Sequence, residues 1–272
     1  MDAEAEYVSR PMLAELRQRL PAWERDAAAY RAHAGARARI DVAYGAGPRQ
    51  HLDVFSPERG GGAVALFVHG GYWQATGKAW FSHLARGANA HGVTVVMVGY
   101  TLCPEATVAG IVDEVRAAVA FAVKNLGAPV TVFGHSAGGH LAACMLATDW
   151  RARDLPADAV RAAMPVSGLF ELEPLVATSV NRKLGLDAAE ARRLSPIAWR
   201  PPAGRSMVAY VGGAETAEFR RQTSAFAERW SDAGAKATAV EVAGQGHFGV
   251  IDALAEPDSP MTLELVRLAI AG

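Results

Sequence analysis

A serine between two glycines is the first candidate for chemistry in this sequence. Gly134-His135-Ser136-Ala137-Gly138 follows the β-forming run PVTVF and precedes the helix-forming run GGHLAACMLA. A G-x-S-x-G sequence in this setting is typical of a tight, strained turn, in which small neighbours let the backbone double back and expose the serine hydroxyl. Glycine and alanine are abundant in this chain, so the pattern alone is weak. The strand and helix on either side favour Ser136 as a nucleophile over an ordinary glycine-rich turn.

The base that would activate this serine should lie further along the chain. A serine hydroxyl is a poor nucleophile at neutral pH and needs a base to take its proton. In enzymes whose catalytic serine lies on such a turn, the catalytic residues follow one another along the chain in the order serine, acid, histidine. Two histidines follow Ser136. His140 lies one turn along the same helix and cannot easily return to the hydroxyl. His247 lies in a glycine-containing loop after the last predicted strand, and the sequence therefore predicts His247 as the base.

The acid must hold the second nitrogen of the imidazole and should follow the strand before that loop. After the strand-like run SMVAYVGG comes AETAEF, which contains Glu215 and Glu218. Glu215 is nearer the end of the strand and is favoured. Glu218 stays open as the alternative, although a carboxylate in the first turn of the next helix would also stabilise the helix dipole.

Acyl transfer also needs backbone N–H groups that stabilise the negative charge on the reacting oxygen. Ala137, directly after the serine, supplies one of them. The loop FVHGGYW follows another predicted strand, and its Gly70 and Gly71 allow the backbone to approach a reacting carbonyl closely. His69 in this loop is expected to be structural, and Tyr100 is expected to support the loop.

Four residues are weaker candidates for substrate binding. Tyr72 and Trp73 stand beside the predicted oxyanion loop and could stack on an aromatic substrate. Phe248 follows the predicted base, and Asn181 lies in a helical insertion between two strands. Ordinary packing is the alternative explanation for each of them.

These residues require a sheet whose strands alternate with helices. Strand-like runs over 63–70, 93–100, 129–136, 162–168, 206–213 and 237–244 are mostly continuous and apolar, as in a parallel sheet with helices on both faces. Helix-like runs lie between them, and VAGIVDEVRAAVAFAVKNL carries apolar residues along one face. RIDVAYG and HLDVFSP, which come earlier, predict an antiparallel hairpin at the sheet edge. The sequence therefore predicts an α/β fold with a mostly parallel central sheet.

A single domain over residues 1–272 is the prediction for a chain of this length. Residues 1–38 form an N-terminal helical segment, in which Pro11 and Pro21 each begin a short helix. The second of these helices is predicted to pack on the domain and to lie over a pocket. Residues 171–202 lack a strand and carry two predicted helices, EPLVATSVNRKLGL and DAAEARRLS, which indicate a small cap.

Charge and composition argue against several classes of protein. A formal net charge of −1 gives no general attraction to nucleic acid or to anionic membranes. The acidic N-terminus lacks the features of a secretory signal and the apolar runs are too short to span a membrane, which predicts a soluble cytoplasmic protein. Cys103 and Cys144 are too few for a disulfide framework, and the eight histidines show no metal-binding spacing. No metal and no cofactor are expected.

HGGYW, GHSAGGHL, TSVNRKLGLD, ETAEFRRQ and GHF together resemble the arylformamidase (kynurenine formamidase) group of the α/β-hydrolase superfamily, which is related to the hormone-sensitive-lipase-like esterases. HGGYW, where esterases more commonly have HGGG, is the most specific part of the likeness. The resemblance implies an α/β-hydrolase fold with Ser136 as nucleophile, His247 as base, Glu215 as acid, and Gly70 and Gly71 in the oxyanion hole. Family members more often have aspartate as the acid, so the glutamate departs from the pattern.

The resemblance implies hydrolysis of N-formyl-L-kynurenine to formate and L-kynurenine without a cofactor. A general carboxylesterase that acts on small or aryl esters would use the same catalytic groups and is the main alternative. A non-catalytic binding protein and a peptidase are further alternatives, although a complete serine, histidine and acid set argues against the first and the short cap against the second. A small molecule is the expected partner, with no nucleic acid and no membrane, and an edge strand or a cap helix could support a homodimer.

Overall fold

One mixed sheet runs through the computed structural model, which describes residues 2–271, so the two end residues of the predicted domain lie outside the described part. In chain order its strands are β1 (Ala38–Ala43), β2 (His51–Phe55), β3 (Ala63–Val68), β4 (Val93–Val98), β5 (Val130–His135), β6 (Val160–Val166), β7 (Ser206–Gly212) and β8 (Lys236–Val242). Their spatial order is β1-β2-β4-β3-β5-β6-β7-β8. The pairs from β4 to β8 are parallel, whereas β2 pairs antiparallel with both β1 and β4. The predicted parallel sheet and edge hairpin are confirmed.

The α-helices of this part of the chain are joined by loops and short 3-10 segments. They are α1 (Ala3–Tyr7), α2 (Arg10–Ala34), α3 (Ala85–Ala90), α4 (Val108–Leu126), α5 (Ala137–Leu146), α6 (Asn181–Leu184), α7 (Ala188–Arg193), α8 (Ala217–Asp232) and α9 (Pro260–Ile270). Helix α4 shows how local sequence sets the bounds. The Thr107 hydroxyl accepts the N–H of Gly110 at its start, and Gly127 adopts the left-handed conformation at its end. Within residues 2–271, no helix has both the length and the apolarity to cross a lipid bilayer.

Helices cover both faces of the sheet. Successive side chains of a strand point to opposite faces, and in β3 the residues Val64, Leu66 and Val68 belong to the same apolar cluster as residues of α4, α5 and α8. Ala65 and Phe67, between them, pack with α3 and α9 on the other face. Burial of such apolar surface stabilises the fold by about 25 cal/mol per Å². The two packed layers hold the carboxyl ends of the strands in fixed register.

The N-terminal segment differs from the prediction at Pro21. The sequence predicts short helices beginning at Pro11 and at Pro21, but α2 is one helix with Pro11 in its first turn and Pro21 in its interior. Proline lacks an N–H and so removes one hydrogen bond from the helix. Trp23 and Tyr30 beyond it are buried, and the Trp23 ring packs on Phe81 with centroids 5.3 Å apart. This tertiary packing keeps the helix continuous.

The insertion over residues 171–202 lies between β6 and β7 and has no strand, but its helices are shorter than predicted. EPLVATSVNRKLGL does not form one helix. It forms the 3-10 helix Glu173–Ala177 and then α6, because Thr178 adopts an extended ψ of 162° between them. The run carries the β-branched residues Val176, Thr178 and Val180, which lose side-chain freedom in a helix and favour such breaks. DAAEARRLS forms α7, with the Asp187 carboxylate as its N-cap.

Candidate active site

The loops that carry the candidate residues all follow strands of the parallel sheet. Gly70 comes after β3, Ser136 after β5, Glu215 after β7 and His247 after β8. The carboxyl ends of parallel strands lie at the same edge of a sheet, so the loops that follow them can meet there. Contacts among these loops bring the predicted nucleophile, base, acid and oxyanion loop into one site.

Ser136 occupies a strained turn. Its φ of +56° and ψ of −119° lie outside the regions that residues with a Cβ prefer, and its N–H donates to the carbonyl of Val166 over 2.9 Å. A Cβ on Gly134 would lie 2.3 Å from the Gly138 oxygen, and a Cβ on Gly138 would lie 1.9 Å from the Val68 oxygen. Both glycines of the G-x-S-x-G sequence are therefore required by close approach of the backbone.

The predicted base and the predicted acid are joined by a buried hydrogen bond. Nδ1 of His247 donates to Oε2 of Glu215 over 2.6 Å, and the two side chains are 4% and 0% exposed. Because Nδ1 donates, Nε2 of the imidazole is left as the nitrogen that can accept a proton. Oε1 of Glu215 accepts the Ser167 hydroxyl over 2.5 Å and the Gly212 N–H over 2.6 Å. Both oxygens of the carboxylate therefore have partners, which fixes its orientation toward the histidine.

Glu218, the alternative acid, has other partners. Its Oε2 accepts the Tyr7 hydroxyl over 3.1 Å, and its Oε1 pairs with Arg221 over 2.9 Å. Burial acts to raise the pKa of Glu218, but the hydrogen bonds and charge of Arg221 outweigh it and hold the pKa below its ordinary value. These bonds tie Glu218 to the N-terminal segment and to its own helix, so the geometry favours Glu215 as the acid.

The base loop is fastened to the serine turn through His135. Nε2 of His135 donates to the carbonyl oxygen of His247 over 2.7 Å, and the two rings lie 4.7 Å apart. Burial, followed by the nearby charge of His247, holds the pKa of His135 well below its ordinary value, so this ring stays neutral. Since His135 directly precedes Ser136, the bond draws the base loop against the nucleophile turn.

The oxyanion loop also lies against the serine. A Cβ on Gly70 would be 2.7 Å from the His135 oxygen and 3.0 Å from the Cβ of Ser136. Within residues 2–271 the N–H groups of Gly70 and Gly71 donate to no acceptor. The N–H of Ala137, at the first position of α5, has no acceptor within its helix. These three groups can receive an oxyanion formed beside Ser136.

The aromatic pair after the oxyanion loop is held by the protein itself. The Tyr72 hydroxyl donates to the carbonyl oxygen of Tyr7. Trp73 is fully buried, and its ring meets His140 edge-on with centroids 5.0 Å apart. The structure therefore shows packing for Tyr72 and Trp73, and their contact with substrate stays a prediction.

Phe248 and Asn181 differ in their relation to the base. The Phe248 ring lies edge-on to that of His247, with centroids 4.9 Å apart, and is partly exposed. The Asn181 amide instead donates to the carbonyl oxygens of Val176 and Leu186 over 3.1 and 2.9 Å. Asn181 thus holds a turn of the insertion together, and its contact with substrate stays a prediction.

A cavity of about 220 Å³ lies beside Glu215 and His247. Its remaining walls are Ser9, Pro11, Met12, Glu15, Ala214, Thr216, Phe219 and Gly246. Glu15 of α2 accepts the N–H of Gly249 over 2.7 Å, which fastens the start of that helix to the base loop. Two cavities of about 520 Å³ elsewhere are lined by none of the candidate catalytic residues. The N-terminal segment therefore forms one wall of the cavity beside the predicted base and acid, which neither Ser136 nor Gly70 and Gly71 line.

Sequence reasoning missed several residues that build this site. Ser167 bonds to Glu215, Glu15 bonds to the loop of His247, and Tyr7 bonds to Glu218 across 211 positions of the chain. Only Ser167 had a signal, because it directly follows strand β6 and so falls at the same edge of the sheet. The hydrogen-bond partners of Tyr7 and Glu15 are set by tertiary packing, and the spacing of residues along the sequence does not predict them.

The chain matches a known protein family over most of its length. A family model described as the alpha/beta hydrolase fold matches residues 65–250. The kynurenine formamidase of Danio rerio is 31% identical over 238 residues, which cover 84% of this chain and 81% of the relative. That of Salmo salar is 32% identical over 248 residues, which cover 88% of this chain and 84% of the relative. The likeness to both relatives thus extends over most of each chain.

A solved structure is also similar over nearly the whole chain. It is the crystal structure of a protein from Silicibacter sp. described as a candidate thioesterase. The two chains are 35% identical, the alignment covers 99% of this chain and 97% of the other, and the TM-score is 0.85. The N-terminal segment and the insertion thus fall within the aligned region.

Proposed function

This chain belongs to the alpha/beta-hydrolase family, within its kynurenine formamidase group, and we propose that it hydrolyses aryl formamides, with N-formyl-L-kynurenine as substrate. The chain is a hydrolase by family. The observation that carries the proposed chemistry is the buried 2.6 Å bond from His247 to Glu215, in a loop fastened to the turn of Ser136. The formamidase relatives, which align over most of the chain, support the choice of substrate.

The first half of the proposed reaction begins with attack by the serine. The Ser136 hydroxyl oxygen attacks the formyl carbon while Nε2 of His247 takes the hydroxyl proton. The electron pair of the formyl C=O moves to its oxygen, and the N–H groups of Gly70, Gly71 and Ala137 stabilise that charge. Glu215 stabilises the imidazolium that forms.

The second step breaks the C–N bond. The oxyanion returns its electron pair to the carbon, and the aryl amine leaves with the proton that His247 donates from Nε2. A formyl ester remains on Ser136. Water then attacks this ester while His247 again accepts a proton, and formate is released as the Ser136 hydroxyl is restored. The reaction consumes one water and needs no redox step.

The surroundings of the base suit an aryl group. Phe248 lies edge-on to the His247 ring, and Phe219 lies 4.5 Å from it between centroids. Aromatic rings favour such edge-to-face contacts with other rings. Phe219 is buried, whereas Phe248 is partly exposed, so the Phe248 ring supports an aromatic substrate beside the base.

Ester hydrolysis is the second candidate function. The structurally similar protein described as a candidate thioesterase is 35% identical to this chain, and an ester would use the same nucleophile, base and oxyanion loop. Esters with good leaving groups depend less on protonation by the histidine than an amine does. The two functions therefore differ in how much they need His247 as an acid.

The proposed reaction can be tested by its products and its intermediate. Purified protein should release formate and L-kynurenine in equal amounts from N-formyl-L-kynurenine, and rapid quenching should trap one formyl group on the peptide that contains Ser136. Ser136→Ala should abolish both, whereas Ser231→Ala, which removes an exposed hydroxyl on α8, should change neither. Product release that survives Ser136→Ala would refute the proposal.

A further inference from the structure

The carbonyl oxygen of Gly70 accepts two hydrogen bonds from side chains of its own loop. It accepts the Thr76 hydroxyl over 2.8 Å and Nδ1–H of His69 over 2.9 Å. The Thr76 oxygen and His69 Nδ1 also lie 3.0 Å apart. Burial lowers the pKa of His69 to about 3, so the ring is neutral and these bonds do not change near neutral pH.

These hydrogen bonds set the direction of the Gly71 N–H. A trans peptide is planar, and its C=O and N–H groups point in opposite directions. Because the Gly70 oxygen is held toward Thr76, the N–H of Gly71 points away from Thr76. That N–H has no acceptor within residues 2–271, and the Gly70 backbone lies against Ser136.

Thr76 is held in a conformation that costs free energy. Its φ is +69°, which is rare for a β-branched residue. Arg49 donates to the Thr76 carbonyl over 2.7 Å and to the Tyr100 carbonyl over 2.9 Å. Tyr100 in turn donates to the carbonyl of His69 over 2.8 Å. Strain that neighbouring contacts maintain is typical of functional sites.

We propose that Thr76 is a positioning residue for the oxyanion hole. Its hydroxyl clamps the Gly70 carbonyl and so directs the Gly71 N–H at the oxygen of the reacting acyl group. Thr76 acts through this peptide and makes no bond to the nucleophile. The inference rests on the acyl-transfer site proposed above, and it applies to formamide and ester substrates alike.

The test compares Thr76→Val, which keeps the branched shape without the hydroxyl, with Thr76→Ser, which keeps the hydroxyl. Complete loss of one oxyanion donor costs about 10²–10³ in kcat, so misdirection of the donor should lower kcat on p-nitrophenyl acetate by about 10- to 100-fold. KM should stay within about twofold, and Thr76→Ser should restore most of kcat. Thr76→Gly, which relieves the positive φ, should fold and show the same loss as Thr76→Val.

A second readout separates positioning from general damage. An aryl boronic acid forms a tetrahedral anion on the serine, so its inhibition constant should rise in Thr76→Val by the same factor as kcat falls. Wild-type kcat in both Thr76→Val and Thr76→Gly would overturn the inference. A loss of kcat in Thr76→Ser as large as that in Thr76→Val would overturn it as well. Absence of Ser136-dependent hydrolysis in the wild-type protein would instead overturn the proposed function.

Discussion

The Ser167 hydroxyl donates a hydrogen bond of 2.5 Å to Oε1 of Glu215, while Oε2 of the same carboxylate receives Nδ1–H of His247. Glutamate is one methylene longer than aspartate, so its carboxylate has more conformations to lose. The bond from Ser167, together with the Gly212 N–H, removes that freedom. The longer acid can thus present one oxygen to the histidine as a shorter acid would.

Loss of the Ser167 hydroxyl should therefore reduce catalysis. A hydrogen bond to a charged group contributes about 1.5–3 kcal/mol, and Ser167→Ala should lower kcat by at least about tenfold because the carboxylate is less well held. Ser195→Ala is the matched control, since Ser195 is also buried and bonds to Leu172 and Ala191. It should lower the melting temperature without a comparable change in kcat. Equal kcat in the two variants would show that Ser167 has no part in holding the acid.

The identity of the acid gives a second prediction. Glu215→Gln should lower kcat by about 10³- to 10⁴-fold, because an amide cannot stabilise the imidazolium and can select the wrong tautomer. Glu218→Gln should change kcat less than about tenfold, since Glu218 bonds to Tyr7 and Arg221. Steady-state kinetics of both variants would decide, and the reverse ranking would make Glu218 the acid.

Close packing of the oxyanion loop gives a third prediction. The Cβ introduced by Gly70→Ala would lie 2.7 Å from the His135 oxygen, so the loop must move away from Ser136. Displacement of its donors should lower kcat by about 10²-fold or more. Gly62→Ala, whose Cβ would meet nothing within 4 Å, should retain full activity. Turnover at the wild-type rate in Gly70→Ala would contradict this geometry.

Buried His140 should make the protein less stable in acid. Burial lowers the pKa of His140 to about 4, against about 6.5 in an unfolded chain. Between these values the unfolded state binds the extra proton, so the free energy of unfolding falls as pH falls, by up to about 1.4 kcal/mol per pH unit for this group. When urea denaturation is measured from pH 7 to pH 5, the free energy of unfolding should fall less in His140→Gln than in the wild type.

The control for that measurement is His33→Gln, which replaces an exposed histidine on α2. It should leave the pH dependence of stability unchanged. If the free energy of unfolding fell equally with pH in the wild type and in His140→Gln, protonation of His140 would not contribute to acid unfolding.

Features with local signatures were predictable from sequence, and features created by packing were not. The run around Ser136 identified the turn because a strand, two glycines and a helix are adjacent in the chain, and α4 was predicted from its apolar face. Helix α9 was missed, although Ser259 caps it and Pro260 occupies its first turn. Pro21 misled the prediction because packing beyond it outweighs the loss of one hydrogen bond. The positive φ values of Thr76 and Ser167 depend on distant partners, so the spacing of residues along the sequence does not predict them.

The most direct test of the central claim is kcat/KM of the purified protein for N-formyl-L-kynurenine, measured beside p-nitrophenyl acetate with Ser136→Ala as the blank. We predict a Ser136-dependent value for the formamide well above that for the ester. Efficient turnover of the ester with almost none of the formamide would contradict the proposed substrate and would identify the chain as an esterase that uses the same site.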